Sequence, residues 1–235
     1  VKEWAAALNR PAINMAAGRQ VLDATYRAMA RQQSSKNFKT TADLLWDMRK
    51  AFENVDRQQL WTQGKKYGYP RDALRLSIAS YRWGRHLVMG TITSDALHPT
   101  RGIAAGSAFA TYELTLYVWE CILKHTADHP TITLSIHVDD ISQSTNNAEA
   151  VEVIEDMVRS ANDLSNKVEN LDMPLAEEKN QLVCNSESTA RAITKRLEGK
   201  AGVHLKEVRR LGIDYTVHHR NTRCQTRRNR FIKLK

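Results

Sequence analysis

The chain has 235 residues, of which 42% are hydrophobic and 26% charged, and it carries a formal net charge of +9. This balance is ordinary for a soluble globular protein whose core forms one large domain or two closely joined subdomains. No apolar run approaches the ~18 residues of a membrane helix, and no signal-peptide pattern opens the chain, so we expect no membrane partner.

The cysteines and histidines predict no metal centre of their own. Cys121, Cys184 and Cys224 lie far apart and form no C-x-x-C pair, and the histidines lack metal-ligand spacing. A disulfide framework and a zinc site are therefore not expected, and we predict a reducing, intracellular compartment, either nucleus or cytoplasm. Because the chain begins with Val1 rather than Met, and ends in a basic stretch, we expect it to continue at both ends.

The positive charge is concentrated near the C-terminus. Residues 191–235 contain fourteen Lys/Arg against three acids, a net charge of +11, which leaves residues 1–190 at −2. Two interpretations are open. The segment is either a solvated tail or a surface that binds a polyanion, where clustered Lys and Arg release counterions from phosphates.

Helices and strands alternate in the hydrophobic pattern, with no internal repeat. In chain order we predict a helix at 18–33, a polar connector at 36–41, a strand at 42–47, helices at 54–67 and 71–83, one hairpin arm at 86–93, a glycine loop at 102–106, a helix at 107–125, a strand at 131–138, helix 148–171, a short strand at 181–184, helix 188–197 and a strand at 208–217. Trp46, Trp83 and Trp119 lie in apolar segments and are predicted to be core.

This order of elements predicts an α+β fold in which helices pack on one face of an antiparallel sheet. The strand that ends at Asp47 and the strand that ends at Asp139 are then neighbours. Asp139 and Asp140 follow the β-rich stretch, with turn-forming residues after them. Adjacent carboxylates repel each other, and a divalent cation converts them into a hard oxygen ligand set, although a solvated acidic turn is the alternative for the pair alone.

Asp47 opens the segment DMRKAFENV at 47–55. A strand, an acid, a tight turn, an aromatic residue and a helix suit nucleotidyl transfer, because the acid supplies a metal ligand and the backbone of the turn meets triphosphate oxygens. At this point the chain resembles the reverse transcriptases, most closely those of non-LTR retrotransposons. Their first palm motif reads D-x-x-x-A-F-D, and Glu53 stands here in place of the last acid.

Further motifs follow in the order of that family. RGIAAGSAF at 101–109 is similar to its Q-G-x-x-x-S-P-x-x-F loop and helix, and HVDD at 137–140 stands where the family has an aromatic followed by x-D-D. LAEEKN at 175–180 looks like the loop with the family's lysine, and RLGID at 210–214 resembles its primer-gripping hairpin. Gly18-Arg19 with Asp23 is similar to the upstream G-R-x-x-x-D stretch, so the resemblance covers about residues 18–216, and the shared order makes it specific.

The resemblance implies a polymerase palm with partial fingers and a truncated thumb. Residues 1–41 are then partial fingers, and 42–217 are the palm with an inserted fingers-side helical segment at about 63–95. Residues 218–235 are a basic tail or the start of the thumb. The implied partners are an RNA template, a DNA primer and deoxynucleoside triphosphates.

The implied activity is RNA-directed DNA synthesis by two-metal transfer to a primer 3′-hydroxyl, with two Mg²⁺ ions as cofactors and Mn²⁺ as a substitute. Each expected site residue follows from a motif position. The catalytic residues are Asp47, Asp139, Asp140 and Lys179, and the metal ligands are Asp47, Met48 through its carbonyl, Asp139 and Asp140. Nucleotide contacts are assigned to Arg49, Lys50, Phe52, Arg101 and Gly102, and primer or template contacts to His137, Arg210, Leu211 and Gly212.

Three departures keep other functions open. Arg101 replaces the family's glutamine, where it either binds a phosphate or obstructs the base. Gly106 and Ser107 replace Ser-Pro, and His137 replaces a tyrosine-like aromatic. The alternatives are a catalytically inactive palm that binds nucleic acid and an RNA-directed RNA polymerase. Phe52 discriminates against the latter, since its ring is expected to exclude a 2′-hydroxyl.

Overall fold

A computed structural model describes residues 1–8, 10, 12–13, 26–28, 30–31, 40–205, 207–210 and 213–216. The helices are α1 Lys2–Ala7, α2 Ala51–Asn54, α3 Arg57–Lys66, α4 Arg71–Tyr81, α5 Ala110–Asp128, α6 Ala150–Glu169 and α7 Glu187–Arg196. The strands are β1 Thr40–Asp47, β2 Val88–Met89, β3 Ile92–Thr93, β4 Thr133–His137, β5 Asp140–Asn147, β6 Gln181–Cys184, β7 Val203–Leu205, β8 Glu207–Arg210 and β9 Ile213–Thr216. A short 3-10 helix covers Glu177–Lys179.

A five-stranded sheet with the order β4-β5-β1-β6-β7 forms the centre of the molecule. Its middle strand, β1, pairs antiparallel with β5 along its whole length and with β6 on the other side. The β6–β7 pair is parallel, so the sheet is mixed, whereas an antiparallel sheet was predicted. The α+β class is confirmed.

The helices cover one face of this sheet. Alternate residues of β1, Leu44 and Trp46, are buried in the main core, which also contains the apolar stripe of α6. That stripe follows a helical period and consists of Val153, Met157, Ala161, Leu164 and Val168. The opposite face carries Leu45 and Val183, which pack with Ala28 and Val208. None of the described helices is long and apolar enough to cross a membrane.

Four predicted elements were wrong in type or extent. The residues after Asp139 are not a turn, because Asp140 begins the eight-residue strand β5. The segment 86–93 contains both strands of a hairpin rather than one arm, and 208–217 is also a hairpin, formed by β8 and β9. The strand β7 was not predicted. The segment 54–67 is divided, because Val55 leaves the helical region before Asp56 caps α3 through the backbone N–H of Gln59.

Tertiary contacts also moved some boundaries and exposures. The helix predicted at 107–125 begins at Ala110 and ends at Asp128. Trp46 and Trp119 are core residues as predicted, whereas Trp83 is 67% exposed. Residues 26–28 and 30–31 are helical, and the rest of the helix predicted at 18–33 lies outside the described residues, as does the segment 218–235.

Candidate active site

Three aspartates meet at one end of the sheet. Asp47 is the last residue of β1 and lies directly opposite Asp140, the first residue of β5. The backbone N–H of Met48 donates to the Asp139 carbonyl oxygen at 3.3 Å, which brings Asp139 to the same rim. The strand next to β1 is therefore β5, and not the strand that leads into Asp139. That prediction was wrong in its pairing, although the β4–β5 hairpin places the three residues at the same end of the sheet.

The hairpin turn at this rim has an unusual backbone. His137 and Asp140 are paired, so Val138 and Asp139 form a two-residue loop. Val138 has φ of +59°, in the left-handed region that a β-branched residue rarely adopts. A non-glycine residue there costs about 1–2 kcal/mol. The turn thus holds Asp139 in place at a cost in backbone energy.

Lys179 contacts the first aspartate. Its Nζ atom lies 3.2 Å from Oδ1 and 3.3 Å from Oδ2 of Asp47. The Lys179 side chain is 61% exposed and that of Asp47 is 29% exposed, so the pair is accessible to solvent. In this structure the lysine places a positive charge against the carboxylate for which a metal was predicted.

The chain after Asp47 is bound to the loop that carries this lysine. The backbone N–H of Ala176 donates to the Asp47 carbonyl oxygen, and that of Arg49 donates to Pro174, both at 2.8 Å. The buried Asn180 accepts from the Asp47 backbone N–H at 3.4 Å and donates to the Lys200 carbonyl oxygen. These bonds fix the lysine loop against the end of β1.

The residues predicted to contact the triphosphate follow Asp47 in a tight turn. Lys50 is exposed, with φ of +50°, and forms the N-cap of α2. Arg49 is also exposed, and its guanidinium donates to both carboxylate oxygens of Glu178 at 3.1 and 2.9 Å. Arg49 is therefore paired with an acid of the lysine loop.

Gly102 touches the turn that carries Phe52. Gly102 has φ of +83°, and a Cβ atom there would lie 2.7 Å from the Glu53 carbonyl oxygen, closer than a side chain tolerates. The Phe52 carbonyl accepts from the Ile103 backbone N–H, and the Val55 carbonyl accepts from that of Gly102. The half-buried Phe52 ring packs against the main core. The predicted nucleotide residues Phe52 and Gly102 are thus brought together.

Arg101 already has partners. Its guanidinium donates to the Asn54 carbonyl oxygen at 2.5 Å and lies 3.5 Å from the Asp172 carboxylate. The arginine that replaces the family's glutamine thus bridges the loop, the α2 turn and the segment after α6. In this conformation its charge is directed at Asp172.

The predicted primer contacts are only partly described. His137 is half-buried beside Asp140, and its Nδ1 atom is buried without a hydrogen-bond partner. Arg210 ends strand β8. Leu211 and Gly212 lie outside the described residues, between β8 and β9.

The donors at the rim suit a hard divalent cation. Carboxylate oxygens are the ligands that Mg²⁺ prefers, and Asp47 and Asp140 are cross-strand neighbours on the face opposite the helices. The carboxylate oxygens of Asp47, Asp139 and Asp140 are not gathered tightly enough to hold one ion as they stand, because they do not all lie within 4.8 Å of one another. With Lys179 against Asp47, the rim fits the metal chemically and requires the lysine and the turn to adjust.

Arg57 was missed by the sequence analysis. It is 6% exposed and donates to three carbonyl oxygens, those of Pro99, Arg101 and Gly102, at 2.7–2.8 Å. Burial lowers the pKa of its guanidinium, which still keeps its proton at neutral pH. Only its place in the first turn of a predicted helix was visible in the sequence, and nothing there indicated its partners, which lie more than forty residues away.

Comparison with known proteins identifies the fold that holds this rim. No family model matches the chain, and no curated protein matches it. Solved structures match with TM-scores above one half. The apo telomerase of Candida tropicalis truncated from its C-terminal domain is 11% identical and aligns over 92% of this chain and 42% of its own, with a TM-score of 0.62.

Two further telomerase structures agree. The apo enzyme of Candida tropicalis is 11% identical over 83% of this chain and 35% of its own, with a TM-score of 0.57. Telomerase from Candida albicans in complex with the TWJ fragment of telomeric RNA is 9% identical over 92% of this chain and 36% of its own, with a TM-score of 0.53. This chain therefore spans less than half the length of these proteins, and at such identities the likeness concerns the fold. The chain has a reverse-transcriptase-like polymerase fold.

Proposed function

We propose that this chain is the palm-containing part of an RNA-directed DNA polymerase, a nucleotidyltransferase of the non-LTR retrotransposon type. The observation that carries the proposal is the meeting of Asp47, Asp139 and Asp140 at one end of the central sheet. These residues come from motifs that lie more than ninety positions apart in the sequence, in a fold shared with telomerases. Like charges directly across a strand pair destabilise a sheet, so stability does not account for them.

The acids have a clear task in this reaction. Asp47, Asp139 and Asp140 would hold Mg²⁺ or Mn²⁺, with the Met48 carbonyl as a further ligand. When bound, such ions supply activation of the primer 3′-hydroxyl and neutralisation of the leaving pyrophosphate. The protein itself contributes position, because phosphoryl transfer depends on alignment and charge more than on covalent chemistry by side chains.

The remaining groups would bind the substrate. Lys179 would leave Asp47 and meet the phosphates of the incoming deoxynucleotide, as Arg49 would on leaving Glu178. Both pairs are exposed, and exposed ion pairs are worth about 0.2–1 kcal/mol, so exchange of partners is cheap. The Phe52 ring would lie against the sugar, and the template would be read by base pairing, with protein contacts to its backbone.

A second function has specific support. Arg101 bridges to Asp172 where the family has a neutral glutamine. This contact favours a palm that binds a primer–template duplex without extending it. The RNA-directed RNA polymerase alternative gains no such support, because the bulky Phe52 stays in contact with the core beside Gly102.

Primer extension tests the proposal. The chain, and a longer form that includes its flanking sequence, would be given an RNA template, an annealed DNA primer, deoxynucleotides and Mg²⁺. We expect extension that Asp47→Asn and Asp139→Asn each abolish, whereas the exposed control Asp72→Asn retains it. Duplex binding by every variant with no extension by the parent would establish the non-catalytic palm instead.

The sugar preference is tested in the same assay. Phe52→Val should raise ribonucleotide use relative to deoxyribonucleotide use, because the smaller side chain leaves room for the 2′-hydroxyl. Tyr112→Val, which also removes a partly buried aromatic that packs on the core, is the control. Equal discrimination in the parent and Phe52→Val would remove Phe52 from its assigned role.

A further inference from the structure

Two histidines on α5 face an aspartate on α6, on the side of the sheet away from the acidic rim. His125 and His129 lie one helical turn apart, and Asp163 lies on the helix that packs against them. Asp163 Oδ2 is 2.9 Å from His125 Nδ1 and 3.0 Å from His129 Nε2. These three residues form the group of described His, Cys, Asp or Glu side chains whose ligand atoms all lie within 4.8 Å of one another.

The cluster is enclosed on the side of the sheet and open at the aspartate. His125 is 0% exposed and His129 is 5% exposed, whereas the Asp163 side chain is 31% exposed. The Nδ1 atom of His129 is buried and has no hydrogen-bond partner. Among the described contacts, Asp163 is thus the hydrogen-bond partner of this ring, and its carboxylate is partly open to solvent.

Lys167 completes the charge balance of the cluster. Its ammonium lies 2.7 Å from Asp163 Oδ2 and 2.6 Å from Asp128 Oδ2. One oxygen of Asp163 therefore faces three nitrogen atoms, while Asp128 offers the lysine a second acid. If a cation replaces Lys167 at Asp163, the lysine keeps its pair with Asp128.

Two polar groups lie behind His125. The Trp46 indole N–H donates to Gln143 Oε1, which directs the Gln143 amide nitrogen toward Ser160 Oγ at 2.6 Å and His125 Nε2 at 3.1 Å. The Ser160 hydroxyl lies 3.0 Å from His125 Nε2. Because an amide nitrogen only donates, Nε2 accepts in this structure and Nδ1 carries the proton that faces Asp163. Ligation through Nδ1 therefore requires the proton on Nε2, with Ser160 Oγ as its acceptor.

We propose that His125, His129 and Asp163 form a binding site for a transition metal of the Zn²⁺ class, with water in the fourth position, which links α5 to α6. Two imidazoles and one carboxylate are a set that Zn²⁺ accepts, and its ligand bonds of about 2.0–2.2 Å place neighbouring donors about 3.3 Å apart in a tetrahedron. The measured separations of 2.9 and 3.0 Å need little expansion to reach that value.

The chemistry of the donors agrees with this assignment. Imidazole favours Zn²⁺ and its neighbours in the first transition series over Mg²⁺, so this site and the carboxylate rim are expected to select different ions. The sequence analysis assigned the histidines no metal because it found no metal-ligand spacing among them; the third donor proposed here, Asp163, lies on a different helix from His125 and His129.

The test uses the full chain with any affinity tag removed. After dialysis against zinc-buffered solution and then metal-free buffer, elemental analysis should find about one zinc per chain, and Co²⁺ should give the intense visible absorption of a four-coordinate nitrogen-ligated site. His129→Gln and Asp163→Asn should each weaken binding by about tenfold or more. Asp163→Asn keeps an oxygen acceptor for both imidazoles, so it separates metal ligation from simple hydrogen bonding.

Two controls define the outcomes. His86→Gln alters an exposed histidine outside the cluster, and Asp47→Asn with Asp140→Asn alters the carboxylate rim, so both variants should retain zinc and the cobalt spectrum. Circular dichroism verifies that each variant is folded, and the parent protein alone suffices for the main result. A folded parent that retains no zinc and gives no cobalt absorption, or an Asp163→Asn variant that binds as tightly as the parent, would overturn the proposal.

Discussion

Arg57 is expected to hold the loop that carries Arg101 and Gly102. In Arg57→Met, an unbranched apolar side chain keeps the buried stem and removes the three donors that serve the carbonyls of Pro99, Arg101 and Gly102. Hydrogen bonds from a charged donor contribute about 1.5–3 kcal/mol each, and a buried carbonyl left without a donor costs about 1–3 kcal/mol. Because part of the loop can turn its carbonyls toward water, we expect a loss of about 3–5 kcal/mol in the free energy of unfolding, typical of breaking a buried charged network.

Urea denaturation followed by circular dichroism measures this loss. Domains of this kind are stable by about 5–15 kcal/mol, so the variant should still fold and should unfold at a clearly lower urea concentration than its parent. Arg82→Met is the matched control, because Arg82 is exposed at the end of α4 and should change stability by about 0.5 kcal/mol or less. A loss below about 1 kcal/mol in Arg57→Met would refute the assigned role, since it would mean that water replaces all three bonds.

Three more predictions concern charge. Lys179→Met should tighten Mn²⁺ binding at the acidic rim by at most about fivefold, read by electron paramagnetic resonance, because the exposed pair with Asp47 is worth about 1 kcal/mol or less; exposed Lys195→Met should change nothing. Burial raises the pKa of the Glu113 carboxyl, so the folded state binds its proton more tightly and stability falls as pH rises above 4.5. Glu113→Gln keeps an acceptor for the Tyr81 hydroxyl. At pH 7 this variant should unfold at a higher urea concentration than the parent, whereas at a pH below the ordinary carboxyl pKa the two should unfold at the same concentration. An equal gain in stability at both pH values would contradict this. The third change is joint neutralisation of five arginines in the basic segment, Arg209, Arg210, Arg227, Arg228 and Arg230. The slope of log affinity for nucleic acid against log salt concentration should become shallower by about 0.7–0.9 for each phosphate contact removed. An unchanged slope would mean that the basic segment is a solvated tail.

The sequence predicted the helix layer and the location of the acids better than the strand pairing. The long amphipathic helix at 148–171 became α6 within two residues at each end, because its apolar stripe is periodic and needs no partner to be recognised. Strand β5, with the sequence DISQSTNN, was missed because its residues favour turns. In the fold it lies between β4 and β1, where Ser142 and Gln143 are buried and its backbone is paired on both sides. Tertiary pairing overrides local preference in this strand.

The residues that sequence analysis missed share one property, which is that their partners are remote. Arg57 resembles an ordinary helix-surface arginine until the loop at 99–102 closes over it. Asn180 resembles a loop residue, yet it bonds to the ends of two separate segments, at Asp47 and Lys200. Neither contact leaves a local pattern in composition or periodicity. The motifs were visible only because each is short and continuous.

Backbone strain gives an independent reason to regard the acidic rim as functional. Among the described residues, the non-glycine positions with positive φ are Lys50, Val138, Asp172 and Glu198. The first lies three residues after Asp47, the second directly precedes Asp139, and the third carries the carboxylate that meets Arg101. Strain of about 1–3 kcal/mol per residue persists only where surrounding structure enforces it, and it concentrates at binding and catalytic sites. A fold selected for stability alone would place glycine or asparagine at these turns and would separate Asp47 from Asp140. The strained turns and the opposed carboxylates occur at the same rim. In the proposed function, binding of a cation and a phosphate chain there would offset this unfavourable local energy.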